Sequence, residues 1–259
     1  MVWDIDPEIF RIGPLAVRYY SLAFVIGFFL GEKYVGNILK THYGFEEKHV
    51  SSLLFYMLAG TFIGARLGHV LFYQPDYYLS NPLEIIQVWK GGLASHGGYV
   101  GVIIAIFLYM KKFKNIRFLN LMDIVAAPCL FVGSLIRLGN LMNSEILGRP
   151  SDVPWAIVFK RVDLIPRHPS QIYESIGYFS VSVILYLLYQ KKLKDKWKDG
   201  RVLGFAMGLS FIFRFFVEYF KENQVAFENS MFVNMGQVLS IPYIIIGFLM
   251  AFDIGKKLK

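Results

Sequence analysis

The chain has 259 residues, of which 55% are hydrophobic, 17% aromatic and only 18% charged, with a mean hydropathy of +0.46 and a net charge of +8. So little charge excludes an ordinary soluble domain and fits a polytopic membrane protein. The single cysteine, Cys129, excludes an intrachain disulfide and a cysteine zinc cluster and reads as a small buried packing residue; the basic balance suits loops facing anionic lipid, and no motif points to nucleic acid as a partner.

A membrane crossing takes about 20 mostly apolar residues. Seven stretches qualify: 15–31, 50–72, 93–110, 121–138, 171–189, 202–219 and 236–252. Ahead of them, MVWDIDPEIF is acidic and lacks the positive n-region of a signal peptide, so the first span is expected to be retained. Alternate loops carry sixteen lysines and arginines on one side and seven on the other. The positive-inside rule places the sixteen in the cytoplasm, with the N-terminus outside and the C-terminus inside. The reading is therefore an all-α polytopic membrane protein, a single integral membrane domain over 1–259. No internal repeat or low-complexity linker interrupts it.

Four arginines, Arg18, Arg66, Arg137 and Arg214, lie inside or at the ends of these spans. Hydrocarbon does not tolerate a stray guanidinium, so each is expected to face protein, a wet cavity or the headgroups. Arginine's planar fork of donors suits phosphate; several together suggest a grip on an anionic lipid headgroup. Snorkelling at helix ends is the alternative for any one of them.

In chain order, VRYYS opens the first span with Arg18 and Tyr20, where Arg18 also reads as an interfacial anchor beside an aromatic belt. GARLGH places Arg66 deeper in the second span, where a partner is required. SHGGYVG opens the third. Its glycines admit a helix or a ligand close to the backbone, and His96 exchanges protons near neutral pH; an interfacial histidine above a helix contact is the plainer reading. At the end of the fourth span, RLGNLMNSEILGRP crowds Arg137, Asn140, Asn143, Glu145 and Arg149 together. Guanidinium and carboxamides there suit phosphate oxygens, with Glu145 orienting an arginine; alternatively Gly139 stops the helix and Asn140 caps it. The polar stretch 139–167, rich in glycine and proline, reads as a small extracytoplasmic cap between the fourth and fifth spans, with WAIVF as a short strand. RHPSQIYE then enters the fifth span. Glu174 inside a span calls for a cationic partner. In FRFFVEYF of the sixth, Arg214 and Glu218 share one helical face.

HGGYVG, RLGNLMNSEILGRP and RHPSQIYE, in this order on seven spans, resemble the bacterial prolipoprotein diacylglyceryl transferases, from RYYS to the last span. The resemblance implies an enzyme of the bacterial cytoplasmic (inner) membrane. It would move the diacylglyceryl group of phosphatidylglycerol to the lipobox cysteine thiol of a preprolipoprotein signal peptide, forming a thioether and releasing glycerol phosphate, the first step of lipoprotein maturation. Its partners would be those two substrates and membrane lipids, with no cofactor and no metal. By motif, the family's functional residues fall on Tyr20, His96, Arg137, Asn140, Glu145, Gly148, His168, Glu174, Arg214 and Glu218. Some members carry tyrosine where this chain has His69, which leaves the role of that ring open.

The implied reaction needs a proton acceptor for the thiol and a stabiliser for the departing phosphate. The expectation assigns the first to His96 and the second to Arg137 and Arg214. Asn140 and Asn143 would orient the headgroup, and Glu174 and Glu218 would aim the arginines. A transporter also places charges near the midplane, but without a repeat and with polar clusters toward one face it fits less well. An intramembrane serine protease would need a nucleophile motif around Ser210, and none surrounds it.

Overall fold

The computed structural model describes residues 1–13, 15–87, 92, 94–113, 116–222 and 233–254, apart from the side chains of Leu15, Ser95 and His96. Helix dominates: α1 (Tyr19–Tyr43), α2 (Glu47–Phe72), α3 (Pro75–Ser80), α4 (Ser95–Lys112), α5 (Phe118–Asn143), α6 (Ser170–Asp195), α7 (Arg201–Val217) and α8 (Met235–Phe252). Among the described residues, five short strands accompany them: β1 (Val2–Trp3), β2 (Glu8–Ile12), β3 (Leu15–Arg18), β4 (Ile157–Phe159) and β5 (Pro166–Arg167). Among the described residues, six helices are long and apolar enough to cross a membrane: α1, α2, α5, α6, α7 with its 3-10 extension to Phe220, and α8. The third expected span coincides with α4, which is not one of the six.

The chain divides into two compact units, Met1–Gly31 with Leu119–Lys259, and Glu32–Phe118. In the second, α2 and α4 meet backbone to backbone. Gly60, Gly64 and Gly68 form one row on α2, and Gly97 and Gly101 face them from α4. A Cβ at Gly64 would lie 2.8 Å from Gly101 Cα, and one at Gly68 would lie 2.8 Å from Gly97 Cα. The glycines of SHGGYVG therefore admit a helix, in the small-xxx-small manner by which membrane helices approach closely. Main chain cannot swing aside as a side chain does, so Gly64→Val is expected to cost about 3 kcal/mol or more. A thermal-unfolding scan in detergent checks this.

Arg66 belongs to the same unit and is 3% exposed. It donates to three backbone carbonyls, Ile85 (Nε, 2.8 Å), Glu84 (Nη2, 2.5 Å) and Gly92 (Nη1, 3.2 Å), and lies over the Tyr78 ring. The reading of Arg66 as one of several headgroup-gripping arginines gives way to a fastening of the segment after α2. The 3-10 turn and the irregular backbone there leave carbonyl oxygens with lone pairs to spare, and a guanidinium supplies donors to them.

In the first unit, the N-terminus folds back on the segment between α5 and α6. β1 runs parallel to β4, pairing Val2 with Val158 and Trp3 with Phe159, and β4 is antiparallel to β5. Leu141, Ile157 and Phe159 form a small core, covered by Trp3, Leu147 and Ile172. WAIVF thus supplies a strand, as its β-branched residues suggest. The expected first span is revised: its opening residues Leu15–Arg18 pair with β2 as a hairpin, and the helix begins at Tyr19 and continues to Tyr43. Arg18 is exposed at the end of that hairpin.

Cys129 is exposed on α5 rather than buried. At the start of α7, buried Asp123 accepts from the N–H groups of Gly200 (2.8 Å) and Leu203 (2.7 Å) and from Lys192 Nζ (2.7 Å). It thereby does for the helix terminus what an N-cap side chain does from within the chain.

Candidate functional site

The junctions of α5, α6, α7 and α8 gather five charged residues of the first unit. α5 presents Arg137, and α6 presents Glu174 from its second turn. Arg214 sits in the last turn of α7, while Glu218 and Lys221 come from the 3-10 turn after it and its exit. They form an alternating series. Arg137 Nε lies 3.2 Å from Glu174 Oε2, and Glu174 Oε1 lies 3.4 Å from Lys221 Nζ. Lys221 Nζ is 3.1 Å from Glu218 Oε1, which is 3.5 Å from Arg214 Nη2. Glu174 is fully buried, and Glu218 and Lys221 are 6% and 3% exposed. At the two ends, the side chains of Arg137 and Arg214 keep 17% and 38% of their exposure. Buried carboxylates are tolerated only where paired, and each of these two meets two cations.

Local packing fixes this series. Gly177 on α6 lies against the Phe213 ring, which in turn stands edge-on to Tyr178. The Arg137 guanidinium lies 5.9 Å from the Tyr178 ring centroid. Gly236 brings the start of α8 against Glu218: a Cβ there would stand 2.7 Å from its carboxyl carbon. Asn234 caps α8 in a capping box with Gln237 and donates to Glu218 Oε2 at 3.4 Å.

A second cluster lies where α5 ends. The helix does not stop at Gly139 but runs on to Asn143, which overturns the reading of Gly139 as its terminator and Asn140 as its cap. Gly139 instead makes room for Tyr20, since a Cβ would stand 2.6 Å from Tyr20 Cδ2. Glu145 accepts from Asn140 Nδ2 at 3.2 Å and Asn143 Nδ2 at 3.3 Å, so the contacts it shows are to carboxamides rather than to the arginine expected for it. The oxygens Asn140 Oδ1, Asn143 Oδ1 and Gln171 Oε1 are buried and have no hydrogen-bond partner among the described residues. An unmet buried acceptor costs about 1–3 kcal/mol, so three together favour a ligand that brings donors. Around Glu145 the backbone takes the left-handed region at Ser144 (φ 55°) and Ile146 (φ 56°). That is a rare conformation for a β-branched residue. α6 holds the turn in place: Gln171 Nε2 donates to Glu145 O at 2.7 Å and Ser170 Oγ to Ile146 O at 3.0 Å.

Gly148 is pressed between His168 and Phe220. A Cβ there would collide with the His168 carbonyl oxygen and lie 2.9 Å from Phe220 O. His168 Nδ1 is 3.2 Å from the Tyr173 hydroxyl, and its ring packs edge-on against Phe220. Arg167 pairs with Asp163 (2.7 Å) and Glu222 (3.1 Å), and its guanidinium holds the Asp163 carboxyl below the usual carboxylate range through their hydrogen bond.

The structure thus joins Arg137, Glu174, Arg214 and Glu218, sets Asn140, Asn143 and Glu145 beside one another, and puts Gly148 against His168 and Tyr20 against Gly139. His96 lies in the first turn of α4, in the Glu32–Phe118 unit, with its side chain outside the described residues. Lys221 was missed, being counted among the loop lysines. Its signal was the spacing Arg214, Glu218, Lys221, which continues one helical face through i, i+4 and i+7. No group of three or more potential metal ligands occurs among the described residues.

The sequence model described as prolipoprotein diacylglyceryl transferase matches residues 7–252. Similar proteins that carry the name phosphatidylglycerol–prolipoprotein diacylglyceryl transferase include three from different organisms. The protein from Tolumonas auensis is 42% identical over 96% of both chains. That from Chloroherpeton thalassium is 44% identical over 98% of this chain and 94% of its own. That from Bacteroides fragilis is 44% identical over 98% and 95%.

Proposed function

Because the chain belongs to the prolipoprotein diacylglyceryl transferase family, we propose that the Arg137–Glu174–Lys221–Glu218–Arg214 series is its phosphate-holding machinery. The enzyme transfers a diacylglyceryl group from phosphatidylglycerol to a prolipoprotein. The acceptor is the lipobox cysteine of the signal peptide. The observation that carries the reading is the partly exposed arginine side chain at each end of a buried, internally paired chain of charges. Phosphate binding at such ends leaves no carboxylate unpaired.

The thiolate sulfur attacks the glyceryl carbon that bears the phosphate. A C–S bond forms as the C–O bond breaks, and glycerol phosphate leaves with the bonding electrons. Its charge grows as it departs, and Arg137 and Arg214 stabilise it, Arg137 through its planar fork. The headgroup glycerol brings hydroxyl donors, which the orphan oxygens of Asn140, Asn143 and Gln171 accept. Glu145 keeps the two asparagine amides turned so that these oxygens face away from it. Tyr20, Gly148 and His168 hold the surrounding backbone and rings. A thiol with a pKa of about 8.5 must lose its proton to attack, and His96, assigned by its motif, takes that proton.

We place α4 as a seventh crossing, 139–167 as an extracytoplasmic cap, the N-terminus outside and the C-terminus in the cytoplasm of a bacterial inner membrane. The split between loops rich and poor in lysine and arginine supports that orientation. The purified protein, incubated with phosphatidylglycerol and a lipobox peptide, is expected to raise the peptide's mass by one diacylglyceryl group. An unchanged or cleaved peptide would overturn the reading. His96→Gln is expected to slow the reaction least at high pH, where more thiolate forms unaided. A pH–rate profile parallel to the parent's would remove His96 as the base.

A further inference from the structure

We infer that Lys221 is a positioning residue of the phosphate site. It is an internal cation whose ammonium satisfies Glu174 and Glu218 together and so fixes how each carboxylate meets its arginine. The inference rests on the reading above that Arg137 and Arg214 hold the lipid phosphate.

Three observations converge on Lys221. Its side chain is buried, with Nζ 3.1 Å from Glu218 Oε1 and 3.4 Å from Glu174 Oε1. An ammonium is a compact charge with three donors, so it serves two carboxylates from different helices at once. Without it, two buried negative charges would repel each other, and each would draw harder on its own arginine, opposing an incoming phosphate.

The main chain of Lys221 is held as firmly as its side chain. Leu147–Arg149 runs antiparallel to Phe220–Glu222, with Gly148 bridging Lys221. Arg149 N donates to Phe220 O at 2.9 Å, Glu222 N to Leu147 O at 3.3 Å, and Arg149 Nε to Lys221 O at 2.7 Å. Any side chain at Gly148 would push this pairing apart. The Gly148–Arg149 pair that closes the RLGNLMNSEILGRP segment thus acts, at least in part, on the backbone of Lys221. Arg167 braces the same pairing from the other side, donating to Gly148 O at 3.3 Å and pairing with Glu222.

The test compares KM for phosphatidylglycerol, kcat and thermal stability of the full-length protein in detergent for Lys221→Met, Lys221→Arg, Lys221→Met with Glu218→Gln, and Arg137→Lys. Lys221→Met is expected to raise KM about tenfold or more, a shift worth about 1.4 kcal/mol, measured per folded molecule. Lys221→Arg is expected to recover much of the loss. Glu218→Gln in the Met background should restore part of it by removing one unmatched charge, so that the double variant is less impaired than Lys221→Met alone. A Lys221→Met protein with the parent's KM and kcat and only a lower melting temperature would overturn the inference. If that variant does not fold, Arg149→Gln decides: a raised KM supports the positioning role, and the parent's KM refutes it. Arg137→Lys separates the two levels. If it retains parental activity the phosphate reading itself has failed; if it is crippled while Lys221→Met is normal, only the role of Lys221 has.

Discussion

Arg137→Lys is expected to lower turnover about a hundredfold or more while the protein still inserts and folds. The magnitude is that of removing one preorganised donor from a developing oxyanion. Lysine preserves the charge beside Glu174, so the buried carboxylate stays compensated and stability changes little. What is lost is geometry. Arg137 meets Glu174 through Nε at 3.2 Å, with its guanidinium carbon 5.9 Å from the centre of the Tyr178 ring. An ammonium has no plane to set and no second, parallel donor to offer a phosphate. The fall should appear in kcat more than in KM, since charge on the leaving oxygen grows only as the C–O bond breaks. Steady-state kinetics over a range of phosphatidylglycerol concentrations checks it; parental kcat would eliminate the planar contact as a contributor.

The opposite pattern is expected at Asp123. Asp123→Ala should destabilise the protein by about 3–5 kcal/mol, the range for breaking a buried ion pair, while kcat per folded molecule stays at the parent's value. Asp123 is fully buried and serves three donors: the backbone N–H groups of Gly200 and Leu203 and the ammonium of Lys192. Alanine removes all three acceptor contacts, strands the first turn of α7 and leaves Lys192 to Asn120 and Asp199. Asp123→Asn, which keeps an oxygen for the backbone but not the charge, should fall between. Thermal unfolding followed alongside activity distinguishes this cluster from the Arg137–Arg214 series, which looks similar by charge alone.

Much of the fold was legible because lipid imposes one demand, a long apolar run, and composition alone reports it. Six of the seven expected spans correspond to helices of sufficient length and apolarity. The limits of those helices were less legible. β3 occupies the first residues of the expected first span because Leu15–Arg18 pairs with β2, a decision made by backbone bonds between segments and not by hydropathy. The parallel pairing of Val2–Trp3 with β4 is likewise invisible locally, being a contact across more than 150 residues. At the candidate site, the pair Arg214–Glu218 followed from helical spacing. Glu174's need for a cation was foreseen on energetic grounds, and an arginine was expected to meet it; Arg137 does, but Lys221, the second cation, was not foreseen. Arg66 misled because its partners are main-chain carbonyls, which leave no mark in side-chain patterns. Cys129 misled because, in a membrane protein, apolar residues point outward as readily as inward.

The glycine rows of α2 and α4 constrain how the Glu32–Phe118 unit deforms. Where main chains touch, no rotamer can change to let the pair slide, and no gap exists for an acyl tail to wedge into. The two helices therefore travel as a single beam. Any gate through which a lipid tail passes, or a lipidated product escapes, has to open along some other seam of the protein.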